Sequence, residues 1–278
     1  MRFVAGTVTA VSNPVDQIAA LTLEQVGLRR DDTAILRDID WTVMAGERWV
    51  VLGPNGSGKT SLVRIASLWE HPSSGRVRLL GQELGRVDVR PLRARVGLVS
   101  AAMADQLRTD LAVRDVVLTA RRGALEPWWH TYDDQDHEAT DRALTAAGVS
   151  TFATRRFGTL SSGERQRVQM ARVLVTDPSL VVFDEPAAGL DLAARQDLLD
   201  RLGALATDPA SPPSILVTHH VEEIPAGVTH VLALRDGSVL GSGPLADVLT
   251  EDTLAATFGL PVHLEGSPGR WRAWTERP

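Results

Sequence analysis

The run Trp49-Val50-Val51-Leu52, followed by Gly53-Pro54-Asn55-Gly56-Ser57-Gly58-Lys59-Thr60, constrains this chain more than any other stretch. Four apolar residues suit a buried strand, and the three glycines let the backbone curl so that successive N–H groups point inward. Leu62, Ile65, Ala66 and Trp69 then recur at helical spacing, so the loop runs into a helix whose positive dipole end faces it. Strand, glycine loop and helix end together form a cradle for a polyphosphate. Lys59 is placed to reach the β- and γ-phosphates, and the Thr60 hydroxyl to ligate Mg²⁺. Lys59 is also the only lysine in 278 residues, every other basic side chain being arginine or histidine. The exception is informative, because a guanidinium fork does not replace a compact ammonium here.

Composition narrows the function classes. A 30.0 kDa chain has room for one large α/β domain or two modest ones. The absence of cysteine excludes disulfides, thiolate metal sites and cysteine nucleophiles, in keeping with a reducing compartment. A net charge of −6 gives no global attraction to nucleic acid, and direct nucleic-acid binding is not expected. No apolar run is long enough for a membrane span, and Phe3 to Val11, broken by Thr7 and Thr9, makes a poor signal-peptide core. The chain is therefore expected to be soluble and cytoplasmic, with any membrane role supplied by another subunit.

Residues 1–20 lack periodicity and read as a loosely tied arm. Alternation at Leu21, Leu23 and Gln25, a turn at Arg30-Asp31-Asp32 and a strand from about Ile35 to Val43 make an antiparallel β section ahead of the loop. Short strands follow at Arg76 to Leu80 and Arg95 to Val99. From Ala104 the pattern turns helical, with Val113, Val116, Val117 and Ala120 on one face and Ala139, Ala143, Leu144 and Ala146 on another. Between these helices, Trp128-Trp129 reads either as packing over a small helical subdomain or as the aromatic edge of a docking surface.

Leu160-Ser161-Ser162-Gly163-Glu164 caps a helix with Val168, Ala171 and Val175 on one face, and its N-terminus is a second anion-binding end. Leu180 to Phe183 is a continuous apolar strand ending in Asp184-Glu185, at the edge where open α/β sheets bind ligands. One acid suits Mg²⁺ and the next suits polarising a water. Gly189-Leu190-Asp191 opens a helix with Leu192, Leu198, Leu199, Leu202 and Leu205 in its stripe. The strand Ile215 to Thr218 then delivers His219 to the same edge. A strand at Val231 to Leu234, a turn at Asp236-Gly237, a helical stretch from Leu245 to Phe258 and a hairpin carrying Trp271 and Trp274 complete the chain.

Phosphate loop, helical insert, Ser-Gly signature, Asp-Glu strand, Gly-Leu-Asp turn and Thr-His occur in that order, and together they resemble the ATP-binding cassette (ABC) ATPases over residues 21–245. The resemblance implies an α/β phosphate-loop NTPase core with a mostly parallel sheet, an N-terminal antiparallel β subdomain and a helical insert. The expected layout is an arm at 1–20, one ATPase domain at 21–258 with its helical subdomain at about 104–175, and a tail at 259–278.

It further implies ATP and Mg²⁺ as cofactors. Gly53, Pro54, Asn55, Gly56, Ser57, Gly58, Lys59, Thr60 and Ser61 would hold the phosphates, with Thr60 and Asp184 on the metal. Glu185 would be the general base and His219 the switch histidine at the γ-phosphate, with His220 a bystander. Ser161, Ser162, Gly163 and Glu164 would contact ATP held by the opposite protomer, and Asp191 would lie at the dimer seam. Three positions depart from the family pattern. The signature reads Ser-Ser-Gly-Glu where Ser-Gly-Gly-Gln is usual. Ser100-Ala101-Ala102 stands where a Mg²⁺-sensing glutamine is normal, Gln106 coming too late. No aromatic residue lies near Leu28 to Arg30 to stack on adenine, which leaves the plane of Arg30 for that role.

The implied function is the ATP-hydrolysing subunit of a transporter. It would dimerise with itself or another cassette and drive a separate integral membrane subunit from the inner face of the cell membrane. Ser100 to Arg108 and the Trp128-Trp129 insert would dock that subunit. The alternative is a soluble ABC ATPase that remodels or assembles a protein or ribonucleoprotein complex without transport, a reading to which the missing glutamine adds slight weight. A phosphate-loop kinase or GTPase leaves Ser161–Glu164 and His219 unexplained.

Overall fold

The structure is a computed structural model that describes residues 18–100 and 107–275. Most of the expected N-terminal arm, and the Ala101 to Gln106 stretch with its shifted glutamine, lie outside the described residues.

In β1 (Leu21–Arg30), Leu21 and Leu23 point inward, and a register shift before Val26 hands the next inward place to Val26 instead of Gln25. β2 (Thr33–Val43) and β4 (Ser74–Leu79) pair with β1 in antiparallel fashion, and the two-residue β5 (Gln82–Glu83) adds to β4. This four-stranded sheet is the expected antiparallel subdomain.

The second sheet has six strands in the order β10-β9-β3-β8-β7-β6. These are β3 (Arg48–Leu52), β6 (Val96–Ser100), β7 (Leu180–Asp184), β8 (Ser214–Thr218), β9 (His230–Arg235) and β10 (Ser238–Pro244). All neighbours are parallel except β9 and β10. Alternate residues of each parallel strand enter two different cores, as the period-2 side-chain geometry demands. Val50, Leu52, Val181, Phe183 and Leu216 face the core shared with the helical insert. Trp49, Val51, Val182, Ile215 and Val217 face the core shared with the antiparallel sheet and α1 (Lys59–Ala66).

A short α2 (Val89–Arg93) precedes β6. The insert comprises α3 (Val113–Leu118), α4 (Asp134–Ala146) and α5 (Ser162–Leu174), and α6 (Leu192–Thr207) follows β7. Half-buried Arg172, its pKa lowered to about 10 by desolvation, donates to the Thr119 hydroxyl at 2.7 Å and to the carbonyls of Val116 and Ala124. These bonds tie α5 to the end of α3 and to the turn that follows it. After β10 come α7 (Leu245–Val248), α8 (Glu251–Phe258) and the antiparallel hairpin β11 (His263–Ser267) and β12 (Arg270–Trp274). Among the described residues no helix is long and apolar enough to cross a membrane.

Five side chains depart from the expected packing. α1 ends at Ala66, and Leu68 turns to φ 62°, which throws Trp69 outward under the guanidinium of Arg93. Ala146 is exposed at the end of α4, where Ala147 takes the inward place. Leu192 is 80% exposed, because the first turn of α6 projects beyond the core that holds Leu198 and Leu202. Trp128 and Trp129 are 57% and 84% exposed, so they do not cover the subdomain. Arg108 lies over the Trp128 ring.

Candidate functional site

Parallel pairing brings the carboxyl ends of the central strands to one edge. Leu52 lies opposite Thr218, Asp184 opposite Val217, and Ser100 opposite Asp184. The segments that follow β3, β7 and β8, namely the glycine loop, Glu185 and His219, therefore emerge side by side.

The glycine loop is packed too tightly for a larger residue at Gly53 and Gly58. A Cβ at Gly53 would stand 2.2 Å from the Leu234 carbonyl oxygen and 2.7 Å from Ser57 Oγ. Gly58, the N-cap of α1, has φ 102°, a left-handed value that favours glycine. Lys59 is 5% exposed, and its ammonium donates to the carbonyls of Gly53 at 2.8 Å and Pro54 at 3.0 Å. Burial pulls its pKa below the usual lysine value, while Glu185 and Asp184 act to raise it.

Glu185 is held in an uncommon backbone conformation, φ 47°, after its N–H extends the pairing to the Val217 carbonyl at 3.0 Å. For a non-glycine residue such a conformation costs on the order of 1 kcal/mol and persists only where the surroundings enforce it. One oxygen, Oε1, lies 3.7 Å from Lys59 Nζ and 3.4 Å from His219 Nδ1. The histidine approach does not meet hydrogen-bond geometry, and Nδ1 has no hydrogen-bond partner among the described residues. Beside it, Asp184 Oδ1 is buried and equally unpartnered. Burial first, and the neighbouring Glu185 charge second, raise the Asp184 pKa above the usual carboxylate range.

An orphaned acceptor on a buried carboxylate is a costly arrangement unless a cation or donor joins it. Ser57 Oγ is a second orphan at this edge. Together with the glycine loop and a lysine, these groups have the chemistry that a magnesium-bound polyphosphate requires. Thr60 is exposed beside them, and Ser61 is buried.

Of the remaining expected site residues, Arg30 is edge-on to Glu70, with Nη2 at 2.9 Å and 3.0 Å from the two carboxylate oxygens. Ser161 is the N-cap of α5. Its hydroxyl accepts Glu164 N–H at 3.3 Å, and its own N–H donates to Glu164 Oε2 at 2.7 Å. This reciprocal capping box was legible in Ser-x-x-Glu but absent from the sequence reading. It turns the unusual Glu164 carboxylate back onto its own helix and toward Arg155 at 3.4 Å. The backbone bond from Ser161 is the main reason that the Glu164 pKa is lowered. Gly163 sits where a Cβ would meet the Ala194 Cβ at 3.0 Å, and Ser161 and Ser162 are exposed. Asp191 is exposed and caps α6, accepting Ala194 N–H at 2.8 Å. The signature and Asp191 thus lie on neighbouring helix starts and are not joined to the Lys59–Glu185–His219 group by any contact described above.

The ABC transporter family model matches residues 36–188, more than half of the chain. A Bacillus subtilis (strain 168) protein, uncharacterized ABC transporter ATP-binding protein YlmA, is 38% identical over 248 residues, covering 88% of this chain and 92% of its own length. The chain belongs to the ABC transporter family. It is an ABC ATPase, an ATP-binding subunit, and its core is the phosphate-loop fold read from the sequence. Ferric enterobactin transport ATP-binding protein FepC of Escherichia coli (strain K12) is 27% identical over 253 residues, with 91% and 92% of the two chains covered. Among solved structures, a putative metal-chelate type ABC transporter in an inward-facing conformation has TM-score 0.76 at 23% identity, over 94% of this chain and 98% of that one. The structure of cbiO1 from Clostridium perfringens, part of the cbiONQ transporter complex, has TM-score 0.72 at 26% identity, over 86% and 93%. These ABC ATPase relatives carry transporter names, which favours transport over the remodelling of soluble complexes.

Proposed function

We propose that this ABC ATPase binds ATP with Mg²⁺ on the loop from Gly53 to Ser61, closes on it as a dimer, and hydrolyses it to drive a separate membrane subunit from the cytoplasmic face. The observation that carries the hydrolytic reading is the placement of a single Glu185 oxygen between the Lys59 ammonium and the His219 ring.

Thr60 and Asp184 would hold Mg²⁺, which when bound neutralises phosphate charge. The inward N–H groups and Lys59 bind and orient the polyphosphate. Glu185 is suited to take a proton from an attacking water, because Lys59 and the His219 ring flank its Oε1 and hold it at a fixed point. His219 contacts the γ-phosphate and Glu185 together. The in-plane bonds of Arg30 to Glu70 leave the guanidinium face free for the adenine ring.

Dimer closure follows from the position of Ser161 to Glu164. An exposed helix N-terminus with small side chains, apart from the site on its own chain, is suited to the phosphates held by another. Solved ABC cassettes of the same fold include dimers, MJ0796 among them. Asp191, at the start of α6, would lie along that seam. The partner membrane protein would dock near Arg108 and the exposed Trp128-Trp129 edge.

The test is light scattering and phosphate release on Glu185→Gln. It should bind ATP within about threefold of the parent, lose about 10²- to 10⁴-fold in turnover, and accumulate an ATP-dependent dimer that Ser161→Arg abolishes. Turnover equal to the parent would remove Glu185 as the base.

A further inference from the structure

Among the described residues His219 Nδ1 has no hydrogen-bond partner to fix its ring, and its neighbour His220 only tilts against it, centroids 4.1 Å apart. Its placement must come from the backbone on either side. Thr218, the last residue of β8, is fully buried, and its hydroxyl donates to Glu223 Oε2. The same hydroxyl oxygen accepts the N–H of His220 at 3.1 Å. Glu223 N–H donates to the His220 carbonyl at 3.2 Å. A hydroxyl has one proton to give and lone pairs to receive. The three bonds therefore have a single consistent direction, and they close a ring through the residues on both sides of His219.

Glu223 is itself only 5% exposed. A carboxylate so deeply placed needs partners to offset its lost hydration. Its second partner is Arg195 of α6, whose Nε lies 3.8 Å from Oε1. Arg195 is one helical turn beyond Asp191, and its N–H donates to the Asp191 carbonyl at 2.9 Å. The adjacent Glu222 faces the other way, its Oε1 accepting Ala273 N–H of β12 at 3.1 Å.

We propose that Glu223 is a positioning residue for hydrolysis: through the Thr218 hydroxyl it sets the loop that aims His219 at Glu185, and through Arg195 it ties that loop to the helix beginning at Asp191. This rests on the reading of His219 as a group acting at the γ-phosphate. Glu223 touches neither the nucleotide loop nor Glu185 in any contact described above. Its influence runs through the geometry of His219 and the start of α6.

The experiment is steady-state ATP hydrolysis by the full chain with Glu223→Ala, Glu223→Gln and Thr218→Val, alone, in combination, and in a His219→Ala background. Glu223→Ala and Thr218→Val should each lower kcat by about tenfold with the KM for ATP within about twofold, the pattern of a lost transition-state interaction. Because both remove one bond, the double variant should be no slower than the slower single one, and neither should slow His219→Ala further. Glu223→Gln keeps an acceptor oxygen for Thr218 and should recover most of the rate.

Equal fractional losses with and without His219 would overturn the proposal, as would additive losses accompanied by parallel falls in ATP affinity and melting temperature. Thr218→Val, which preserves side-chain shape, carries the test if Glu223→Ala does not fold. Parent turnover in His219→Ala would remove the reading of His219 and the proposal with it. An impaired His219→Ala beside parent turnover in both Glu223→Ala and Thr218→Val would overturn the proposal alone.

Discussion

Lys59 Nζ and Glu185 Oε1 stand 3.7 Å apart although they come from opposite halves of the chain. The ammonium also donates to two loop carbonyls, so it shapes the glycine loop and balances the carboxylate beside it. These two tasks require a short reach and a compact charge.

Lys59→Arg should therefore fail almost as badly as Lys59→Ala. The guanidinium cannot occupy the 5%-exposed position between Gly53 and Pro54 without pushing the loop open. Calorimetric titration with Mg-ATP should show affinity weakened about 100-fold in both, from the loss of one or two charge-assisted hydrogen bonds. Parent affinity in Lys59→Arg would mean that charge alone suffices.

Asp184 gives a prediction of the opposite sign for stability. Its folded-state pKa is raised by burial above the ordinary 3.8. The folded state therefore holds a proton more tightly than the unfolded chain, and the ionised carboxylate weakens the fold at neutral pH. Asp184→Asn should stabilise the nucleotide-free protein by about 1 kcal/mol, or roughly 2–4 °C in melting temperature. That gain should shrink as pH falls through the folded pKa towards 3.8, where the parent carboxylate becomes neutral. Melting scans between neutral and acid pH check it, and Mg-dependent hydrolysis by the same variant should be lost. A variant no more stable than the parent at pH 7 contradicts the assigned strain.

Glu164 departs from the family pattern without the cost that the departure suggests. Its carboxylate completes a capping box, which glutamine can also form. Glu164→Gln should change melting and hydrolysis little, whereas Glu164→Ala should cost about 1 kcal/mol. The Glu164 pKa is lowered in the fold, so its contribution is present above the ordinary 4.5 and is lost as pH falls through the folded value. Equal melting temperatures for the Gln and Ala variants at pH 7 would remove the capping role.

The local pieces of this site were open to reading because each is encoded within a few residues. Gly53 to Thr60 needs only its own glycines and the apolar run before it, and Asp184-Glu185 needs only the strand that ends there. What brings Glu185 to Lys59 is the insertion of β3 between β8 and β9, a pairing that no local pattern specifies. Leu192 and Trp69 fit helical stripes by spacing, yet lie at helix ends where the core no longer reaches. Glu223 carried no motif that separated it from an ordinary surface acid. Only the fold turns it under Thr218 while Glu222 turns out to the hairpin.

The burial of Lys59 has a practical consequence. With one lysine in the chain, amine-selective acylating reagents have a single side-chain amine to attack, and that amine is shielded between loop carbonyls and two carboxylates. Any modification beyond the terminal amine therefore reports opening of the phosphate loop, so mass spectrometry of intact protein can follow that opening without an introduced label.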